Sequence, residues 1–202
     1  VFFDYINICV AKIRKIIRYC NLFLNFVRKL LIMTTLYLVR HGETIDNVNQ
    51  IMQGQTQGQL TATGQEQARR LCDSMAGKAL DAVVASDLKR AVDTASVIAR
   101  QRCLPVVTTQ LLRERDWGSF TGRYIPSLKG EAWPADIETQ EQLRQRAADF
   151  LDYIRRHYPG CRVLAVGHGI INKAVQAVYH GLPMSEIKRM DNAEVRVMEL
   201  AD

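Results

Sequence analysis

The chain has 202 residues, 27 Lys and Arg against 21 Asp and Glu, and a formal net charge of +6; 48% of it is hydrophobic and 24% charged. These proportions suit a globular domain with a sizeable core and exclude disordered and collagen-like chains. Six basic side chains (Lys12, Arg14, Lys15, Arg18, Arg28, Lys29) and one acid, Asp4, fall within residues 1–32, so residues 33–202 hold 21 basic against 20 acidic groups, too even a balance for a nucleic-acid-binding face.

The longest charge-free run in residues 1–32 is Tyr19–Val27, bounded by Arg18 and Arg28. A spanning helix needs roughly 18–20 apolar residues, so this run does not cross a membrane. Eighteen residues precede it and no small-residue cleavage site follows, which excludes a signal peptide. Two readings remain: a basic amphipathic helix on an anionic membrane surface, or a segment foreign to the native protein, with translation starting at Met33. The second is favoured, because the chain opens on Val and Met33 directly precedes the first strand. Residues 33–202 then form one domain.

From Met33 onward short apolar runs alternate with helical patterns, the mark of α/β architecture. Leu36–Val39 is a strand running into Arg40-His41-Gly42. A helix over 64–76 carries Ala68, Leu71, Cys72 and Met75 on one face. Ala82–Ala85 is a second strand, and Asp87 is the expected N-cap of a helix over 88–101 with the stripe Ala91, Ala95, Ile98 and Ala99. Pro105–Val107 reads as a short strand and 113–137 as a loop broken by Gly and Pro. A long helix spans 139–157 and stops at Pro159-Gly160. Arg162–Val166 is a buried strand leading through Gly167-His168-Gly169 into a helix over 170–179, and 194–200 is an edge strand. Cys9, Cys20, Cys72, Cys103 and Cys161 are odd in number and lack a C-x-x-C pair. They read as buried small apolar residues of a cytoplasmic protein, not as a disulfide framework or zinc site.

Ligands of open α/β sheets bind beyond the carboxyl ends of the strands. Three such ends carry polar groups: Arg40-His41-Gly42-Glu43-Thr44, Ser86-Asp87-Leu88-Lys89-Arg90 and Gly167-His168-Gly169. Two of the four histidines leave an apolar strand and meet Gly at once, which lets the backbone turn and approach a ligand. Two His and two Arg at strand ends suggest a phosphate pocket, since Arg offers a planar fork of donors and neutral imidazole is a nucleophile. His157 and His180 sit at helix C-termini, where positive charge is favoured, and receive no catalytic role. No metal-ligand cluster is present in the sequence.

Leu38–Thr44 resembles the opening signature of the histidine phosphatase superfamily, in its phosphoglycerate-mutase-like branch. Asn47 and Gly54 follow at the family spacing; Ala85–Ala95, Leu112–Gly122 and Val166–Gly169 resemble its later blocks, in order. The resemblance covers residues 34–200 and implies a three-layer sandwich with a mostly parallel central sheet flanked by helices. It implies that His41 attacks a phosphoryl group, that Arg40, Arg90 and His168 surround its oxygens with Asn47 as a neutral donor, and that Thr44 orients the pocket. Glu114 would protonate the leaving group, a role that wants a carboxyl pKa raised toward neutrality; the residues alone suggest an ion pair with Arg113 or Arg115 instead. Glu43 reads as structural or solvated. Gln53, Gly54, Arg115 and Trp117 would face the substrate, with Arg123, Tyr124, Lys129 and Trp133 on the same loop.

The expected activity is a metal- and cofactor-independent phosphatase acting on a small phosphorylated metabolite. A phosphoglycerate mutase is the alternative, because Glu114-Arg115-x-Trp117-Gly118 resembles the mutase form of the block; a phospho-ligand binder without activity is another. Only about 15 residues separate Gly122 from Thr139, too few for the pocket-covering insertion of mutases. Asp46 stands where an aromatic is common in the family, and an acid there disfavours a strongly anionic distal group.

Overall fold

A computed structural model describes residues 14–20 and 33–201. Residues 14–20 form a helical stretch, α1, exposed throughout. The remainder of the 1–32 segment lies outside the described residues, and with it the amphipathic and foreign-segment readings.

Five strands form one sheet in the order β3-β2-β4-β1-β5: Met33–Arg40 (β1), Ala82–Ser86 (β2), Val106–Thr109 (β3), Arg162–Gly167 (β4) and Val195–Ala201 (β5). β4 runs parallel to β1 and β2, and β3 parallel to β2; β5 alone is antiparallel, along β1 at the edge. The helices are Ile45–Val48 (α2), Ala62–Ser74 (α3), Lys89–Gln101 (α4), Gln140–His157 (α5) and Gly169–His180 (α6).

Strand side chains alternate faces, and here both faces are covered. Leu36, Leu38, Val84, Val163 and Ala165 pack with Leu143, Phe150 and Ile154 of α5 and Ile171 and Val175 of α6. Val39, Val83, Ala85, Leu164 and Val166 pack with Leu71 of α3 and Ala91, Ala95 and Ile98 of α4. This is the expected three-layer α/β sandwich, and each fully buried Leu, Ile or Phe contributes about 1.5–3 kcal/mol.

Local details depart from expectation for identifiable reasons. Thr61 caps α3, accepting from the Gly64 amide at 2.9 Å, so the helix starts at Ala62 and ends at Ser74. Asp87 does not cap α4: its carboxylate takes both Nε and Nη2 of Arg113, at 2.8 and 2.5 Å. Leu88 stands at the N-cap with no side-chain bond, and Gln57 Oε1 accepts from the Lys89 amide instead. β3 begins at Val106 because Pro105 has no N–H for a ladder. Of the four described cysteines, all free thiols, only Cys72 is buried; Cys161 is half-buried and Cys20 and Cys103 are exposed, Cys103 in a left-handed turn with φ 53°.

The register decides where the chemistry collects. Arg40 lies opposite Gly167 and Ala85 opposite Val166. β2, β4 and β1 are therefore adjacent, parallel and end together, and their three polar exits converge at the carboxyl end of the sheet.

Candidate active site

His41 and His168 follow the paired strand ends. The His41 amide donates to the Gly167 carbonyl at 3.1 Å, and the two imidazole centroids are 4.9 Å apart, edge to face. Gly167 is required here because a Cβ would collide with Oδ1 of Asn172. Asn172 Nδ2 in turn donates to the Val39 carbonyl at 2.9 Å, tying α6 to β1.

The hydrogen bonds assign both tautomers. Nδ1 of His41 meets the Gly42 carbonyl at 2.7 Å, and a carbonyl only accepts, so the proton is on Nδ1 and Nε2 keeps its lone pair. His168 Nδ1 accepts from Nε of Arg90 at 3.1 Å; its proton is therefore on Nε2, a buried N–H with no partner among the described residues. Burial, reinforced by the charge of Arg90, holds both imidazoles well below the usual His pKa; for His41 the Gly42 carbonyl opposes this weakly.

Arg90, 1% exposed in the first turn of α4, also donates from Nη2 to the Gly54 carbonyl at 2.8 Å and from Nη1 to the carbonyls of Thr56 and Gln57. It thus clamps the 54–57 turn while carrying its charge to the pocket wall. Arg40 donates from Nη1 to the Met190 carbonyl at 2.8 Å, and its Nε is buried with no partner among the described residues. Burial above all pushes both guanidinium pKa values down to about 10, so both remain charged at neutral pH.

Glu114 is 8% exposed and sits at the start of α6. Its Oε1 accepts from the amides of Arg115, Ile170 and Ile171 at 2.9, 3.1 and 3.2 Å, which fixes the carboxyl group in place. Neither flanking arginine pairs with it: Arg113 holds Asp87, and Arg115 takes the Glu138 carbonyl at 2.8 Å. Arg146, paired with Glu138, donates to the carbonyls of Leu111, Arg113 and Glu114 and steadies the segment.

Thr44 caps α2 in a capping box with Asn47 and accepts from Gln53 Nε2 at 2.7 Å. Asn47 spends its Oδ1 on the Thr44 amide and on Asn192 Nδ2, which leaves its Nδ2 as a donor. Glu43 accepts the Thr61 hydroxyl at 2.7 Å, a structural bond. Among the described residues no three His, Cys, Asp or Glu side chains are grouped to hold a metal ion.

The model of the histidine phosphatase superfamily (branch 1) matches residues 36–202. The chain belongs to that superfamily. It is 35% identical over 175 residues to an uncharacterized phosphatase, PhoE, of Bacillus subtilis, covering 84% of this chain and 90% of PhoE. It is 32% identical over 172 residues to a probable phosphoglycerate mutase, GpmB, of an Enterobacter species, covering 78% of this chain and 80% of GpmB. A solved mycobacterial glucosyl-3-phosphoglycerate phosphatase superposes with a TM-score of 0.76 at 25% identity, covering 83% of this chain and 90% of that one. The expected enzyme class, a histidine-type phosphatase, stands.

In this member of the superfamily a cavity of about 240 Å³ opens over His41. Arg40, Asn47, Gln53, Gly54, Arg90, Glu114 and Trp117 line it. Thr44 and His168 are fully buried and are not among the lining residues; His168 packs edge to face on His41, which is. Arg115 does not reach it: its guanidinium lies 4.7 Å from the Trp117 ring and 5.0 Å from the Trp133 ring, two rings that themselves meet edge to face at 5.8 Å, a cation–π cluster that pins the loop. Arg123 is likewise engaged, with Glu131. The sequence reading passed over Arg189, Ile125 and Ile170, which line the cavity, and Asn192, which donates to the His41 carbonyl at 3.0 Å and to Asn47. The one signal for the 189–192 group is a polar cluster, Arg-x-Asp-Asn, just ahead of the edge strand.

Proposed function

We propose that the protein hydrolyses small phosphomonoesters through a phosphohistidine on His41, without a metal. The observation that carries this reading is a buried His41 with an unprotonated Nε2, in one cavity with the Glu114 carboxyl and the guanidinium groups of Arg40, Arg90 and Arg189. Phosphoryl transfer asks mainly for positioning and charge neutralisation. Arg40 Nε, His168 Nε2–H and Asn47 Nδ2 are the donors left for phosphoryl oxygens, since Arg90 spends its N–H groups largely on carbonyls and contributes mainly its charge.

His41 Nε2 attacks phosphorus, the P–O ester bond breaks, and the leaving oxygen takes a proton from Glu114. Water then attacks the phosphohistidine, gives a proton back to the Glu114 carboxylate, and inorganic phosphate departs with His41 restored. Turnover of an aryl phosphate in excess EDTA, abolished in His41→Ala, tests the reading; full activity in that variant overturns it.

The mutase reading is favoured by the similarity to GpmB. The connection from Gly122 to Thr139 carries only one short 3-10 turn, Ile125–Leu128, between its ends, which supports access of water and hence hydrolysis. Incubation with a monophosphoglycerate and bisphosphoglycerate separates the two: phosphate release without isomerisation is expected.

A further inference from the structure

Asn192 stands in the loop ahead of β5, and its side chain joins two residues of the site. Its Nδ2 donates to the His41 carbonyl at 3.0 Å and to Asn47 Oδ1 at 3.3 Å. Both amide orientations are forced from outside the pair. A backbone carbonyl only accepts, so the end of Asn192 that meets His41 is the nitrogen. A backbone amide only donates, so the end of Asn47 that meets the Thr44 amide at 3.2 Å is the oxygen. Asn47 Nδ2, the opposite end of that amide, has no hydrogen bond among the described residues, and Asn47 lines the cavity over His41.

Little else holds the Asn47 side chain. α2 is four residues long and buries none of them, so packing does not fix the amide. The Thr44 amide is the other donor to its oxygen. Asn192, by contrast, sits on a loop tied to β1 by its main chain. Ala193, left-handed with φ 58°, donates its amide to the Arg40 carbonyl at 3.0 Å, and the Arg40 amide donates to the Glu194 carbonyl at 3.2 Å. Arg40 Nη1 reaches the Met190 carbonyl on the other side. These bonds do not involve the Asn192 side chain and remain when it is removed.

We propose that Asn192 is a positioning residue: it locks the Asn47 amide to the backbone of the nucleophile, so that Asn47 Nδ2 meets phosphoryl oxygens at a fixed place relative to His41. The proposal rests on the phosphatase reading above and adds a residue to the phosphate-binding apparatus of the same site. Asn192 Nδ2 is spent on two protein acceptors, so it acts through Asn47 and not on the phosphoryl group. Its contribution therefore vanishes with the Asn47 side chain.

A double-mutant cycle tests this, read as kcat/KM for p-nitrophenyl phosphate and as the Kd of inorganic phosphate by calorimetry, which needs no turnover. Asn192→Ala should lower kcat/KM by about five- to tenfold and weaken phosphate binding to a similar degree. In the Asn47→Ala background the same substitution should change both by less than about twofold. Asn192→Asp keeps the shape but lacks the donor, and should lose at least as much as Asn192→Ala; a space-filling role would leave it near the unmodified protein. Equal losses from Asn192→Ala in the two backgrounds, unchanged values in Asn192→Ala, or near-native values in Asn192→Asp overturn the proposal while the phosphatase reading stands. No hydrolysis of p-nitrophenyl phosphate by the unmodified protein overturns the phosphatase reading, and this proposal with it.

Discussion

Nε of Arg90 donates to Nδ1 of His168 across 3.1 Å, joining the first turn of α4 to the end of β4. The bond sets the tautomer of His168 and leaves its buried Nε2–H without a partner among the described residues. The remaining guanidinium nitrogens hold the 54–57 turn. One side chain thus supplies charge, a neighbour's protonation and a wall of the cavity.

Replacing Arg90 by Lys therefore removes more than a contact. A single ammonium cannot reproduce the fork, so buried carbonyls lose donors and His168 loses its orienting bond. Steady-state kinetics should show kcat/KM lowered by about a hundredfold or more, and urea unfolding a loss of about 2–4 kcal/mol. Near-native values for both would show that the clamp is dispensable.

Glu114→Gln separates positioning from proton transfer. The amide oxygen can still accept from the Ile170 and Ile171 amides, so the start of α6 should hold. Hydrolysis of alkyl phosphates should fall by about 10²–10³-fold, and that of p-nitrophenyl phosphate much less, because nitrophenolate departs without a proton. An equal loss on both ester types argues against a proton-donor role.

The turn after His41 packs against α3 with no room to spare. A Cβ at Gly64 would collide with the Glu43 carbonyl, and one at Gly42 with the Gly64 carbonyl. Gly64→Ala should destabilise by about 2–3 kcal/mol through backbone displacement and lower activity as the 42–44 segment shifts. Thermal unfolding together with kinetics checks this, and an unchanged Tm contradicts it.

Both active-site histidines are neutral and buried, with pKa values depressed chiefly by burial. The unfolded chain protonates each below about pH 6.5, whereas the folded chain does not. Stability is thus fully present above that value and falls as pH drops, by up to about 1.4 kcal/mol per unit for each histidine until its folded pKa is reached. Asp81, whose carboxyl is held at about 2 by hydrogen bonds from Arg162, adds its loss only at still lower pH. Urea midpoints should be lower at pH 5.5 than at 7.5, with a smaller difference in His168→Gln; an unchanged midpoint is the contrary result.

The elements were legible in the sequence where one periodicity dominated. Leu36–Val39, Ala82–Ala85 and Val163–Val166 are uninterrupted apolar runs, as strands buried on both faces must be. The helical stripes at Ala68, Leu71, Cys72 and Met75 and at Ala91, Ala95 and Ile98 are all buried. His41 and His168 stood out because each leaves such a strand into a glycine. Partners distant in the chain left no local trace. Asp87 reads as a cap until Arg113 arrives from 26 residues away. Glu114 reads as a surface acid until the α6 amides meet it from 56 residues away. Arg189 and Asn192 reach the site only because β5 pairs with β1, which brings the loop ahead of it back to His41.

The covalent intermediate is the most direct test. The protein should be mixed with a rapidly cleaved aryl phosphate, quenched in denaturant at alkaline pH, where phosphohistidine survives, and its peptides weighed. The account predicts one phosphoryl group on the peptide containing His41, stable to base, lost in acid and absent from His41→Ala. Steady turnover with no phosphorylated His41, or a phosphoryl group found on another residue, would contradict it.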